Sequence, residues 1–191
     1  MAYVDTSKWT TQIQTNNGSL RSRGSNTGWN KPADGWTKCN YDGSFLNNNS
    51  RATMGWILRG ERGEFKGAGH SIGLTVMSAM EAECQSLTCA MQQSWIKGYR
   101  KVIFEGDNQL LVNVLNGKGT RYDVVNWIHE IKEWEKKFEA VAYTWIPTKY
   151  NRPTDHLAKQ QRGRISEFTF YSRIPDFIYF VTHNDNVTHI Q

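Results

Sequence analysis

The chain has 191 residues, of which 38% are hydrophobic and 21% charged, a composition that suits one compact domain rather than a disordered or membrane-embedded chain. No stretch approaches the roughly 20 consecutive apolar residues of a spanning helix. The polar N-terminus lacks the apolar centre of a secretory signal, so no membrane partner and a nuclear or cytoplasmic location are expected. Cys39, Cys84 and Cys89 are an odd set without metal-type spacing, which argues against a disulfide framework and a zinc site. Lys and Arg number 23 against 18 acids, a formal charge of +5, and the excess is uneven. Residues 149–164 hold Lys149, Arg152, Lys159, Arg162 and Arg164 against Asp155 alone. Such a stripe fits a polyanionic partner or, equally, a solvated helix face.

In chain order, residues 1–28 are rich in Ser, Thr, Asn and Gly and read as a flexible leader or linker remnant, with the folded domain over 29–164. Trp36 to Phe45 suits a strand, Asn47 to Ser50 a turn, and Met54 to Leu58 a second strand. Glu61-Arg62-Gly63 then turns the chain into a third strand through Phe65 to Leu74, so the opening third reads as an antiparallel meander. Met80, Cys84, Leu87, Met91 and Trp95 recur at helical spacing, and Ser78 with Glu81 three residues later forms a capping-box pattern at the start of that helix. Lys101 to Phe104 reads as a strand, Leu110 to Leu115 as a short helix stopped at Asn116-Gly117, Val124 to Phe138 as a longer helix, and Ala140 to Ile146 as a strand. Pro153 favours the first turn of a last helix. The sum is an α/β domain, a five-stranded mixed sheet whose first three strands are antiparallel, with helices packed on it. Most tryptophans, among them Trp95, Trp127, Trp134 and Trp145, fall on apolar stripes or strands and read as core or near-core, with Trp36 or Trp56 the candidates for exposure.

Four acids sit at element ends or beside small residues. If the first strand alternates, Lys38, Asn40 and Asp42 share one face and Cys39 and Tyr41 the other. Asp42 then lies inside a strand, where Asp is rare, or it forms a turn before Gly43; the pattern leaves both readings open. Glu81 has a capping role, which leaves Glu83, at the edge of the apolar stripe, as the acid turned toward the sheet. Asp107 follows a strand and precedes a helix, an ordinary N-cap position, and Asp155 sits in a first helical turn. Converging together, the four would repel one another strongly without cations, and an oxygen-rich cluster of this kind suits Mg²⁺ and phosphodiester chemistry.

Asp42-Gly43-Ser44, Ala82-Glu83, Glu105-Gly106-Asp107-Asn108 and Asn151-Arg152-Pro153-Thr154-Asp155-His156-Leu157-Ala158 resemble, in order, the motifs of type 1 ribonuclease H domains. Trp29 to Pro32 with Gly35 to Phe45 resembles more narrowly the plant form found in LINE-type retrotransposon polyproteins and in free-standing plant proteins. The short loop before the last motif resembles the archaeal-like subgroup. The resemblance covers about residues 29–162 and leaves 165–191, rich in Phe, Tyr and Ile, as an extension expected to pack on the domain or add a strand.

This likeness implies a ribonuclease H-like fold and an enzyme cutting the RNA strand of RNA/DNA hybrids with two Mg²⁺ ions, for which Mn²⁺ can substitute. Asp42, Glu83, Asp107 and Asp155 would be at once the catalytic residues and the metal ligands, and the products would carry 5′-phosphates. Asn40, Ser44, Lys149, Asn151 and Arg152 are the candidate nucleic-acid contacts. The partners implied are the hybrid duplex and a reverse transcriptase domain of the same polyprotein, with the domain itself a monomer. The alternative is a nucleic-acid-binding module of the same fold with weak or no activity. Two departures from better-known members stand out: Ile146 to Asn151 has no histidine, leaving Lys149 or Arg152 as its replacement, and only Lys118 and Arg121 stand where those members have a basic protrusion.

Overall fold

The computed structural model describes residues 29–160 and 167–179. The leader over 1–28 and parts of the basic stripe and of the C-terminal extension lie outside these residues. Among the described residues six strands form one sheet: β1 (Thr37–Ser44), β2 (Ser50–Arg59), β3 (Phe65–Val76), β4 (Lys101–Gly106), β5 (Ala140–Trp145) and β6 (Phe168–Tyr171). The helices are α1 (Ala79–Ile96), α2 (Gln109–Leu115), α3 (Val125–Glu135) and α4 (Arg152–Gln160). The strand order is β5-β4-β1-β2-β3-β6, antiparallel from β1 through β2 and β3 to β6 and parallel from β1 to β4 and β5. The meander and the mixed sheet stand as expected, with one strand more than the five expected. The extra strand is β6, which pairs Phe168 to Tyr171 with Ala68 to Ser71 along an edge that β3 would otherwise leave open.

Alternation along the strands builds apolar packing on both faces of the sheet. Cys39 and Tyr41 of β1, with Trp56 and Leu58 of β2 and Val102 and Phe104 of β4, face Cys84, Leu87 and Met91 of α1 and Leu111 and Ile131 of α2 and α3. On the opposite face Ile57 and Ala68 meet Leu157 of α4 and Ile178 of the C-terminal extension. Trp56 is fully buried, while Trp95 and Trp145 are exposed, against the expectation for all three. Each of the latter two sits at the end of its element, where the apolar stripe runs out past the core. The Ser78 hydroxyl caps α1 at the Glu81 N–H as expected, and the Glu81 carboxylate reaches back to the Met77 N–H.

Two close approaches fix helices to β1 and β2. Ser86 of α1 donates its hydroxyl to the Asp42 carbonyl at 2.7 Å, and a side chain at Gly43 would run into the Ala82 carbonyl. On the other face a Cβ at Gly55 would lie 2.5 Å from the Thr154 carbonyl oxygen and 2.6 Å from the Ala158 nitrogen, so α4 lies directly on the β2 backbone. The substitution Gly55→Ala therefore pushes α4 off the sheet. Overpacking costs ~1–3 kcal/mol, against a chain-entropy gain of only ~0.4–1 kcal/mol, so the variant unfolds at lower denaturant in a urea titration.

Candidate metal centre

Asp42 lies inside β1, opposite Gly55 of β2 and as the last residue of the strand's buried stretch, so it is a strand acid and not a turn former. Gly43 and Ser86 draw the first turns of α1 against this point and thereby bring Glu83 to it. Asp107 follows the end of β4, the parallel neighbour of β1. It does not cap α2. Asn108 does, accepting from the Leu111 N–H at 3.1 Å, which leaves the Asp107 carboxylate to the cluster. Oxygens of Asp42, Glu83 and Asp107 all lie within 4.8 Å of one another.

The electrostatics follow from that crowding. Burial, and then the charges of Asp107 and Asp155, push the Asp42 carboxyl up to about 8. Glu83 is driven in the same direction by burial and by Asp42 and Asp107. One Glu83 oxygen, Oε2, is buried without a hydrogen-bond donor. A carboxylate oxygen left bare inside a cluster of its own charge has the surroundings of a cation ligand, and an all-oxygen donor set suits Mg²⁺ or Mn²⁺.

Asp155 stands apart from the three. Its charge reaches Asp42, but its carboxylate is paired to Lys159 one turn along α4, at 2.6 Å. The start of α4 is latched to β1 by Asn151, whose amide donates to the Tyr41 carbonyl at 2.9 Å and accepts from the Thr154 hydroxyl.

A family model described as reverse transcriptase-like matches residues 40–161. The chain belongs to the reverse transcriptase-like family. An Arabidopsis thaliana relative named "Putative ribonuclease H protein" is 26% identical over 161 residues, which are 84% of this chain and 26% of that protein. The chain thus spans about a quarter of the length of the curated relative it matches. Among solved structures, ribonuclease H1 of the archaeon Halobacterium salinarum superposes with a TM-score of 0.62 at 23% identity, covering 65% of this chain and 96% of that one. LC11 ribonuclease H1, solved with an RNA/DNA hybrid, gives 0.59 at 17% identity, covering 65% and 94%. The fold of this reverse transcriptase-like chain is therefore that of type 1 ribonuclease H domains.

The five candidate nucleic-acid contacts divide into two groups. Lys149 and Arg152 are exposed beside the start of α4, and Ser44 is partly exposed at the end of β1. Asn40 and Asn151 are buried, at 2% and 0% exposure, with both ends of each amide engaged by the protein, Asn40 by Trp29 and Glu105. Missed in the sequence were the Tyr41 hydroxyl, which lies against Gly106 below the cluster, and the contacts of Lys38 and Thr144 with Glu105. Their signal was present only as polar residues in strands of otherwise apolar character.

The pH dependence follows from Asp42. Its carboxyl holds a proton to about pH 8 in the folded chain and releases it near the ordinary 3.8 when unfolded. The folded state therefore binds more protons between these values, and stability falls as pH rises through that window. With chelator present, the wild-type Tm should fall steadily from about pH 5 to pH 8. Asp42→Asn should flatten that slope and melt higher than wild type at pH 8, and Mg²⁺ should raise the wild-type Tm there. A wild-type Tm independent of pH, read by circular dichroism, would contradict this electrostatic picture.

Proposed function

We propose that this domain is an endoribonuclease that hydrolyses the RNA strand of RNA/DNA hybrids with two divalent cations, Mg²⁺ or in its place Mn²⁺. The observation that carries the reading is the convergence of Asp42, Glu83 and Asp107 within 4.8 Å, with Glu83 Oε2 buried and bare. In this reading Asp42, Glu83 and Asp107 hold the ions together with Asp155, which exchanges its contact with Lys159 for the site. When bound, the ions supply the positive charge that activates water and stabilises the leaving 3′-oxygen, giving 5′-phosphate products.

The chain's own residues do the rest. Asp42 presents its carboxylate from the strand interior, and Asn151 holds α4 so that Asp155 stays within electrostatic reach of Asp42. Lys149 and Arg152, both exposed, bind backbone phosphates and take the place of the loop histidine. Ser44, at the strand end next to Asp42, is suited to a 2′-hydroxyl, the group that separates RNA from DNA. Asn40 and Asn151 act from behind, by holding the backbone and the acids in place. In this reading the catalytic domain is the unit over 29–164, and the described part of the C-terminal extension, 167–179, is held on it through β6 and Ile178. The reverse transcriptase-like description of the family supports a place beside a reverse transcriptase domain in one retroelement polyprotein. In this reading the domain acts as a monomer, in nucleus or cytoplasm.

The test is cleavage of an end-labelled RNA/DNA hybrid beside duplex RNA, single-stranded RNA and duplex DNA. Cutting should be confined to the RNA of the hybrid, require Mg²⁺ or Mn²⁺, and stop with EDTA. Asp42→Asn should lower it by roughly a thousandfold or more, the rate equivalent of the several kcal/mol a catalytic cation supplies. Well-folded protein that binds the hybrid and cuts nothing in either metal would make it a binding module instead.

A further inference from the structure

Glu105 is the one charged residue in the interior of β4, after Val102, Ile103 and Phe104, and it is buried at 7% exposure. Its Oε2 accepts from Lys38 Nζ at 2.9 Å and from the Thr144 hydroxyl at 3.3 Å, and its Oε1 accepts from Asn40 Nδ2 at 3.0 Å. The other end of the Asn40 amide accepts from the Trp29 indole N–H at 2.8 Å, which fixes the amide orientation. Trp29 in turn lies under the Arg59 guanidinium, 4.3 Å from the ring centroid, and within 5.3 Å of Lys38 Nζ. Side chains of β5, β4 and β1 are thus tied through one carboxylate.

A buried ion pair is not a general source of stability, because the cost of desolvating both charges offsets their attraction, and apolar residues of similar volume often serve as well. The position of this one suggests what it does. Asn40 and Glu105 are the last pair of the parallel β1–β4 ladder, and two residues beyond them come Asp42, still in β1, and Asp107, just past the end of β4. Past that rung the two chains carry carboxylates that repel each other, the Asp107 charge being one of the groups that push the Asp42 carboxyl upward. Beyond this rung β1 is paired only to β2 and β4 only to β5, so the Asn40–Glu105 tie is the last one directly opposing that repulsion between the two strands.

We propose that Lys38, Asn40 and Glu105 form a positioning clamp that sets the separation of Asp42 and Asp107, and through it the affinity of the site for divalent cations. The clamp rests on the reading of the acid cluster as a metal centre, and its residues touch neither cation nor substrate. Loss of a hydrogen-bonding partner behind a metal ligand commonly weakens metal binding by about 10- to 100-fold.

The experiment is Mn²⁺ binding by the whole chain, read from the electron paramagnetic resonance signal of the free ion, alongside thermal melts. Glu105→Gln puts an amide donor against either Lys38 or Asn40, removes the charge that pairs with Lys38, and should weaken Mn²⁺ binding by about 10- to 100-fold. The double variant Lys38→Met, Glu105→Met removes the buried charges together, so its melting temperature should stay near or above that of wild type while Mn²⁺ binding falls by a similar factor. A merely structural role would move the melting temperature and leave the affinity alone. Should Glu105→Gln fail to fold, the double variant decides. A folded variant binding Mn²⁺ within about twofold of wild type overturns the clamp, whereas wild type that binds no Mn²⁺ overturns the metal centre itself.

Discussion

Mutual repulsion among Asp42, Glu83 and Asp107 is the constraint to which much of the structure answers. Three carboxylates from three separate stretches of chain lie within 4.8 Å of one another in a largely buried site. Left alone they cannot all ionise, which is why burial and neighbouring charge raise the Asp42 and Glu83 carboxyls together. Folding tolerates the arrangement because the rest of the sheet and its helices supply the free energy, and because protons or cations can occupy the cluster. A site that is unfavourable when empty and charged is also one that gains most from a divalent ion.

The architecture explains how three distant residues stay in place. β1 is central, bonded to β2 on one side and β4 on the other, so Asp42 and the start of the Asp107 turn are carried by adjacent strands. α1 reaches Asp42 because Gly43 offers no side chain and Ser86 binds the Asp42 carbonyl. α4 approaches from the other face because Gly55 is equally bare, and Asn151 fastens its first turn to the Tyr41 carbonyl. Small residues beside the acids thus decide how near each helix comes, and large apolar residues farther along, Leu87 and Leu157 among them, hold it there.

Much of this was legible in the sequence. Helical spacing from Met80 to Trp95 placed α1, and alternation in β1 correctly separated Lys38, Asn40 and Asp42 from Cys39 and Tyr41. The capping box distinguished Glu81, spent on the helix end, from Glu83, turned into the site. Asp107 and its neighbour were harder, because Asp and Asn cap equally well and only the structure shows Asn108 taking that place. β6 was not counted among the strands because a segment of four residues carries too little periodicity to separate an edge strand from an apolar patch. Trp56, Trp95 and Trp145 were misjudged for a related reason: whether an aromatic on a stripe is covered depends on what lies over it, and a stripe does not encode that. Asn40 and Asn151 were named as nucleic-acid contacts for their places beside Asp42 and in the last motif, and a sequence does not show that both amides are buried and hydrogen-bonded within the protein.

The central claim is that the fold gathers these acids to hold divalent cations. Diffraction from crystals soaked in Mn²⁺, collected where manganese scatters anomalously, tests it most directly. The account predicts anomalous density bounded by Asp42, Glu83 and Asp107, with the Asp155 side chain turned from Lys159 toward it. Saturating Mn²⁺ that leaves the cluster without such density, in crystals whose three carboxylates are well ordered, would contradict it.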